Sequence, residues 1–345
     1  MLLRDYDYEL PPELIAQQPL PNRDDSRMMV LNRSLKTISH RQFKEIIDFF
    51  RPGDLLVLNN SRVIPARAWA VRNGDRKSIE FLFIKEKEPG LWEVLCRPAK
   101  KVKEGDRLVF DRDLEARVAG RGPSGRRLLK FNTAKVLARL KEIGVAPLPP
   151  YIKRRPGDPR LKEIDAERYQ TVYAARDGSI AAPTAGLHFT ERILAELKQK
   201  GVEIQYVTLN VGLATFQPVR AEKITDHQML EESFLISPET AAAINRAKKE
   251  GRPLTAVGTT VVRTLESAWR EEGLQPGEQH TSLFIYPGYH FKLVDRLLTN
   301  FHLPRSSLLM LVSALAGYEL TMEAYREAVK ESYRFFSYGD CMLII

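Results

Sequence analysis

Ile79-Glu80-Phe81-Leu82-Phe83-Ile84 and Leu91-Trp92-Glu93-Val94-Leu95-Cys96 read as short β-strands, with Pro89-Gly90 as the turn between them. Working outward, Arg107-Leu108-Val109-Phe110 and Glu115-Ala116-Arg117-Val118 continue the texture. Turn signals at Asn73-Gly74-Asp75, Glu104-Gly105-Asp106 and Gly120 to Gly125 separate the runs. Five or six strands at this spacing predict a small barrel over residues 61–147. A helix near Thr133 to Ile143 follows, and Pro147-Leu148-Pro149-Pro150-Tyr151 reads as a linker, because proline cannot continue a helix.

Beyond the linker, strands and helices alternate. Thr190 caps an expected helix from Glu191 to Lys200, with Ile193, Leu194 and Leu197 on one face and Gly201 at its end. Val202 to Leu209 reads as a strand, Ser237-Pro238-Glu239 opens a second helix closed by Gly251, and Leu254 to Val257 is a buried-type strand before a helix over Thr260 to Glu272. This alternation argues for an α/β domain. The opening residues lack the material for a core of their own. The barrel is therefore an insertion, and residues 1–60 join 148–345 in one discontinuous α/β domain.

Composition narrows the function classes. The 345 residues are 43% hydrophobic and 28% charged, enough for two folded domains. Only Cys96 and Cys341 are present, so neither a disulfide framework nor a thiolate metal site is expected. Met1 to Asp7 carries no sustained apolar stretch, and the run Leu308 to Gly317 is about half a membrane span, so the expected compartment is the cytoplasm. The formal charge is +9, and residues 62–130 hold 18 Lys or Arg against 10 Asp or Glu, a net of +8. Nearly the whole excess thus falls in the barrel, which favours a polyanionic partner.

Four stretches carry candidate chemistry. Ala181-Ala182-Pro183-Thr184-Ala185-Gly186-Leu187-His188 is built of small residues, so a ligand can approach its backbone, and His188 lies just before a helix start that favours anions. The bland alternative is a tight turn with a structural histidine. Gly258-Thr259-Thr260, with Arg263 in the following turn, suits a carboxylate or phosphate, although threonine capping explains it as well. Asn300 and His302, in a turn-rich stretch, offer hydrogen bonds to a heterocycle or simply pack a loop. Arg334 and Asp340 near the end are either an ion pair or site residues. The HExxH, CxxC and GxSxG patterns are absent, so metal hydrolysis and Ser-His-Asp chemistry are not expected.

Together with Leu14 to Pro19, Asp25-Ser26-Arg27, Asn59 to Arg67, Arg168 to Ala174, Ala256 to Ser267, Thr299 to Ser313 and Tyr333 to Asp340, these stretches resemble the S-adenosylmethionine:tRNA ribosyltransferase-isomerase family of queuosine biosynthesis over essentially the whole chain. The resemblance implies an α/β catalytic domain with an inserted β-barrel. It implies a ribosyl group taken from S-adenosylmethionine and attached, rearranged, to a 7-aminomethyl-7-deazaguanine at the tRNA wobble position. The products would be epoxyqueuosine-tRNA, adenine and methionine; no metal, membrane or obligate protein partner is expected. Two positions depart from the family pattern, which usually has histidine where Asn210 precedes Val211-Gly212-Leu213-Ala214-Thr215-Phe216 and where Leu230 follows His227-Gln228-Met229.

A reaction of this kind needs a general base, an acid for departing adenine and exclusion of water. On the resemblance, His188 is the first candidate for proton transfer, with His302 and the Asp226–His227 pair in reserve. Tyr169, Thr171 and Tyr173 are expected around the donor with Thr184, Gly186, Gly258 and Asn300, while Thr259, Thr260 and Arg263 suit the methionyl carboxylate. Arg62, Arg67, Lys100 and Lys101 suit RNA phosphates. A non-catalytic RNA-binding protein would explain the barrel but not the Ala182 to Thr190 motif. An S-adenosylmethionine-dependent RNA methyltransferase would call for a glycine-rich loop that the sequence lacks.

Overall fold

The computed structural model describes residues 1–75, 77–154, 159–212, 219 and 221–345. The chain opens with β1 (Arg27–Asn32), β2 (Thr37–Gln42), β3 (Leu55–Asn59) and the short β4 (Ser61–Val63). Six strands then close into a barrel: β5 (Arg67–Arg72), β6 (Ser78–Glu88), β7 (Leu91–Arg97), β8 (Arg107–Asp111), β9 (Leu114–Arg121) and β10 (Arg127–Phe131), in the order β10-β7-β6-β5-β8-β9. Alternate residues of β6 (Ile79, Phe81 and Phe83) fill its interior, where Phe83 meets Trp92 edge-on at 5.6 Å. The two-residue period of a strand sets that alternation. Helix α1 (Val136–Ile143) packs Val136 and Leu140 on the same core.

The chain returns through α2 (Pro159–Arg168) and β11 (Arg176–Ser179), which pairs in parallel with β4 and stitches the seam between the two bodies. Next come α3 (Glu191–Gln199), β12 (Glu203–Leu209), β13 (Glu232–Ile236), α4 (Pro238–Lys249), β14 (Leu254–Val257) and α5 (Thr259–Ala268). A small hairpin, β15 (Trp269–Arg270) with β16 (Gly273–Leu274), precedes β17 (Gly277–Thr281), β18 (Arg296–Asn300), α6 (Ser307–Ala316), α7 (Tyr318–Lys330) and β19 (Cys341–Ile344). One nine-stranded sheet results, ordered β17-β13-β12-β3-β14-β18-β19-β1-β2. Its centre, β12, β3, β14 and β18, is parallel. Strands β3 and β14 are buried throughout, as strands covered by helices on both faces must be.

The even-numbered residues Met28, Val30, Leu56 and Leu58 enter one core layer, and Met29, Leu31, Leu55 and Val57 the other. The opening residues therefore contribute three strands to the large sheet, consistent with their inability to form a separate core. Helix α5 ends at Ala268 rather than Glu272, because Trp269 is extended (ψ 133°) and pairs with Leu274. Both cysteines are free thiols. Among the described residues, no helix is long and apolar enough to cross a membrane, and no group of three His, Cys, Asp or Glu side chains is placed to hold a metal.

Candidate active site

At the carboxyl ends of the parallel strands β14 and β18 lies a cavity of about 570 Å³. Crevices beyond the carboxyl ends of such strands are where open α/β sheets bind ligands. The chain turns out of β14 at Gly258, whose φ of +91° is a left-handed conformation that side chains resist, and enters α5 at Thr259 and Thr260. The amide of Asn59, at the end of β3, reaches Thr260 Oγ1 at 3.4 Å and Leu209 O at 3.0 Å, fixing the turn. From β18 come Asn300 and His302, and the N-terminus of α6, capped by Ser306, opens into the same space. Ala181 to Ala185 form one wall. Tyr151 and Phe336, stacked at 4.6 Å, also line the cavity.

Thus Tyr169, Thr184, Gly258, Thr259, Thr260, Asn300 and His302 share one cavity. Gly186 lies just behind it. A Cβ there would fall 1.9 Å from the Tyr173 hydroxyl and 2.9 Å from Thr171 Cγ2, so Gly186, Thr171 and Tyr173 form a packed layer supporting the wall. Among the described residues, no partner is found for two polar atoms of residues that line the cavity, the Asn300 Oδ1 and the Tyr169 hydroxyl, although both residues are almost fully buried. Buried polar groups are normally satisfied. Unpartnered ones beside a cavity call for a ligand.

The two histidines differ. His302 lines the cavity; its Nε2 shares a hydrogen with Thr299 Oγ1 at 2.8 Å, and its backbone is clamped by Tyr8 and Tyr325. Burial pushes its pKa down to about 3. His188 stands behind Asn300, off the cavity, with Nδ1 at 2.7 Å from Ser26 Oγ and Nε2 at 3.1 Å from Asn300 Nδ2. Burial, then the positive charges of Arg23 and Arg334, push its pKa down to about 3. Both nitrogens of His188 are already engaged by protein groups.

Other candidates sit elsewhere. Arg263 does not reach the cavity: its guanidinium pairs with buried Glu232 and donates from Nε to Leu283 O at 3.0 Å. The charge expected to meet a carboxylate ligand is neutralised internally. Asp226 and His227 are also off the cavity; His227 packs edge-on against Phe284 at 5.2 Å. Asp340 accepts from the backbone N–H groups of Arg27 (2.9 Å) and Arg334 (2.8 Å), so it braces the last turn rather than pairing with the Arg334 side chain. Arg62 bonds Ala174 O and faces Asp177 at 3.8 Å, and Arg67 bonds Leu148 O at 3.0 Å and faces Glu80 at 3.5 Å. Both are held at the seam between barrel and sheet. Lys100 and Lys101 stand exposed on a turn of the barrel.

Asn210 and Leu230 line one cleft of about 510 Å³ between the two bodies, so the two departures from the family pattern are spatial neighbours. Gly178 lets the Asn210 amide pack closely, since a Cβ there would fall 2.6 Å from its Oδ1. Ala214, Thr215 and Phe216 lie outside the described residues. Sequence reasoning did not single out Tyr151, Phe336 or the α6 N-terminus as lining groups. A signal for the last of these is present in the sequence, since Ser306 before an apolar run is a helix-capping pattern.

The profile of the family described as queuosine biosynthesis protein matches residues 3–344. The S-adenosylmethionine:tRNA ribosyltransferase-isomerase of Thermotoga maritima is 53% identical over 345 residues, covering all of both chains. Its counterpart from Moorella thermoacetica is 50% identical over 349 residues, again with full coverage. The crystal structure of the S-adenosylmethionine tRNA ribosyltransferase of Thermotoga maritima superimposes with a TM-score of 0.56 at 45% identity, covering 99% of this chain and 100% of that one. From end to end, the chain belongs to the queuosine biosynthesis protein family.

Proposed function

We propose that the protein transfers and isomerises the ribosyl group of S-adenosylmethionine onto the aminomethyl group of 7-aminomethyl-7-deazaguanine at the tRNA wobble position, giving epoxyqueuosine-tRNA, adenine and methionine. The observation that carries this reading is the cavity beyond β14 and β18. Its volume falls within the usual range for small-molecule sites, and a mostly apolar lining includes two residues with polar atoms that have no partner among the described residues. The neighbouring body carries the chain's excess positive charge, as a tRNA acceptor requires. The same substrate places the protein in the cytoplasm.

The donor supplies an acidified C5′–H group and two leaving groups, adenine and methionine. The chain supplies positioning and proton transfer. Thr259 and Thr260, with the free N–H groups at the start of α5, receive the methionyl carboxylate. The stacked Tyr151 and Phe336, with Tyr169 and Asn300, receive the flat heterocycle. Proton transfer falls to His302, because it is the histidine that lines the cavity. The acid–base role expected of His188 passes to His302, since His188 has no nitrogen left to offer the cavity. Lys100 and Lys101 are free to meet RNA phosphates, whereas Arg62 and Arg67 hold the seam.

Product analysis tests this reading. With S-adenosylmethionine and precursor-bearing tRNA, the purified protein should release adenine and methionine in equal amounts. S-adenosylhomocysteine would instead identify a methyltransferase, and tRNA binding without any small-molecule product a non-catalytic RNA-binding protein.

A further inference from the structure

Asn300 is 2% exposed, and its amide is held in one orientation. Its Nδ2 reaches three acceptors: His188 Nε2 at 3.1 Å, Phe336 O at 3.2 Å and Asp340 O at 3.3 Å. Turning the amide over would set its oxygen against two carbonyl oxygens. His188 enforces the same sense. If Nε2 accepts from Asn300, the ring hydrogen must lie on Nδ1, which then donates to Ser26 Oγ at 2.7 Å; Ser26 passes its own hydrogen to Arg23 O at 3.4 Å. Every link of this chain runs in one direction, from the Asn300 amide to the Arg23 carbonyl. The charges of Arg23 and Arg334 oppose an imidazolium, whose Nε2–H would face the amide hydrogens. What remains is the Asn300 Oδ1, buried and without a partner among the described residues, on a residue that lines the donor cavity beside Phe336.

We propose that Asn300 is a specificity-determining residue whose carboxamide oxygen accepts a hydrogen bond from the exocyclic amine of the donor's purine, and that His188 is the positioning residue that holds this amide through Nε2. The neighbouring Phe336 and Tyr151 rings place a flat heterocycle, rather than an aliphatic amine, at this end of the cavity. A 6-oxopurine presents an acceptor where the amine was, and so sets two oxygens against each other. This inference rests on the reading of the cavity as the donor site.

The test compares dissociation constants, by calorimetry, for S-adenosylmethionine and its 6-oxopurine analogue. The wild type should prefer the amino compound by about tenfold or more, because the oxo analogue leaves a buried acceptor unpaired. Equal binding of the two overturns the proposal without any variant having to fold. Asn300→Leu should reduce the preference to within about threefold. His188→Leu should raise the KM for the donor and weaken the preference severalfold, while His188→Gln, which can place an acceptor near the position of Nε2, should restore both. A His188→Leu enzyme with unaltered KM and preference but collapsed kcat would make His188 the proton-transfer group and overturn its positioning role. A wild-type protein that binds no S-adenosylmethionine at all overturns the donor-site reading itself, and this proposal with it.

Discussion

Replacing His302 with asparagine should flatten the pH dependence of stability, and the size of the effect follows from the burial of its ring. The pKa of His302 is pushed from 6.5 to about 3 in the folded protein, and His188 behaves alike. Below about pH 6.5 the unfolded chain binds a proton at each position and the folded chain does not. Lowering the pH therefore favours unfolding. The contribution of each neutral ring is fully present above about pH 6.5, declines as the pH falls, and is exhausted near pH 3. Between about pH 7.5 and pH 5 the change is about one and a half pKa units, or about 2 kcal/mol for each histidine. Urea unfolding at the two pH values measures it. The wild type should lose about 2 kcal/mol more than His302→Asn over that interval, whatever the carboxylates add to both. Equal losses would mean that His302 is not buried as a neutral ring.

Other consequences are sharper in kind. Gly186→Ala should destabilise the protein by about 1–3 kcal/mol, since its Cβ would strike the buried Tyr173 hydroxyl, and Tyr173→Phe should relieve part of that loss in a thermal melt. Arg263→Ala should cost about 3–5 kcal/mol by leaving Glu232 buried and unpaired; the KM for S-adenosylmethionine measured well below the melting transition should stay close to wild type, because Arg263 touches no donor. Replacing both Lys100 and Lys101 with glutamate should weaken tRNA binding and lower the salt slope of its affinity by about two, with donor binding unaffected in calorimetry.

The barrel was legible because Phe81, Phe83 and Trp92 report their own burial through alternation, and turn residues mark where each strand stops. The parallel centre was legible for the opposite reason: Leu254 to Val257, apolar except at Thr255, shows no polar-out alternation, which suits a strand covered on both faces. Less legible was β17, Gly277 to Thr281 at one edge of the sheet, whose polar residues are mostly exposed or half-buried and resemble a loop; its neighbour β13 alternates buried with half-buried positions, but buries the charged Glu232 at one of them. The site divided along similar lines. Backbone features such as Gly258, Ala181 to Ala185 and the capped helix starts are local, and local sequence announces them. Partnerships are not local. The partner of Arg263 is hidden because Glu232 is distant in sequence, and the partners of both His188 nitrogens are hidden because Ser26 and Asn300 lie on other elements. That Asn300 lies at a turn was legible, but not the reason its amide is held in one orientation, which depends on carbonyls of Phe336 and Asp340 near the far end of the chain.

The most direct measurement follows the ribose carbons. Purified protein is given S-adenosylmethionine labelled with carbon-13 only in the ribose, together with tRNA bearing the aminomethyl-deazaguanine, and the nucleosides are then weighed by mass spectrometry. A modified nucleoside heavier by all of the labelled ribose carbons is expected, with adenine and methionine left unlabelled. Label retained in S-adenosylhomocysteine or in unreacted donor, with the tRNA base unchanged, would contradict it.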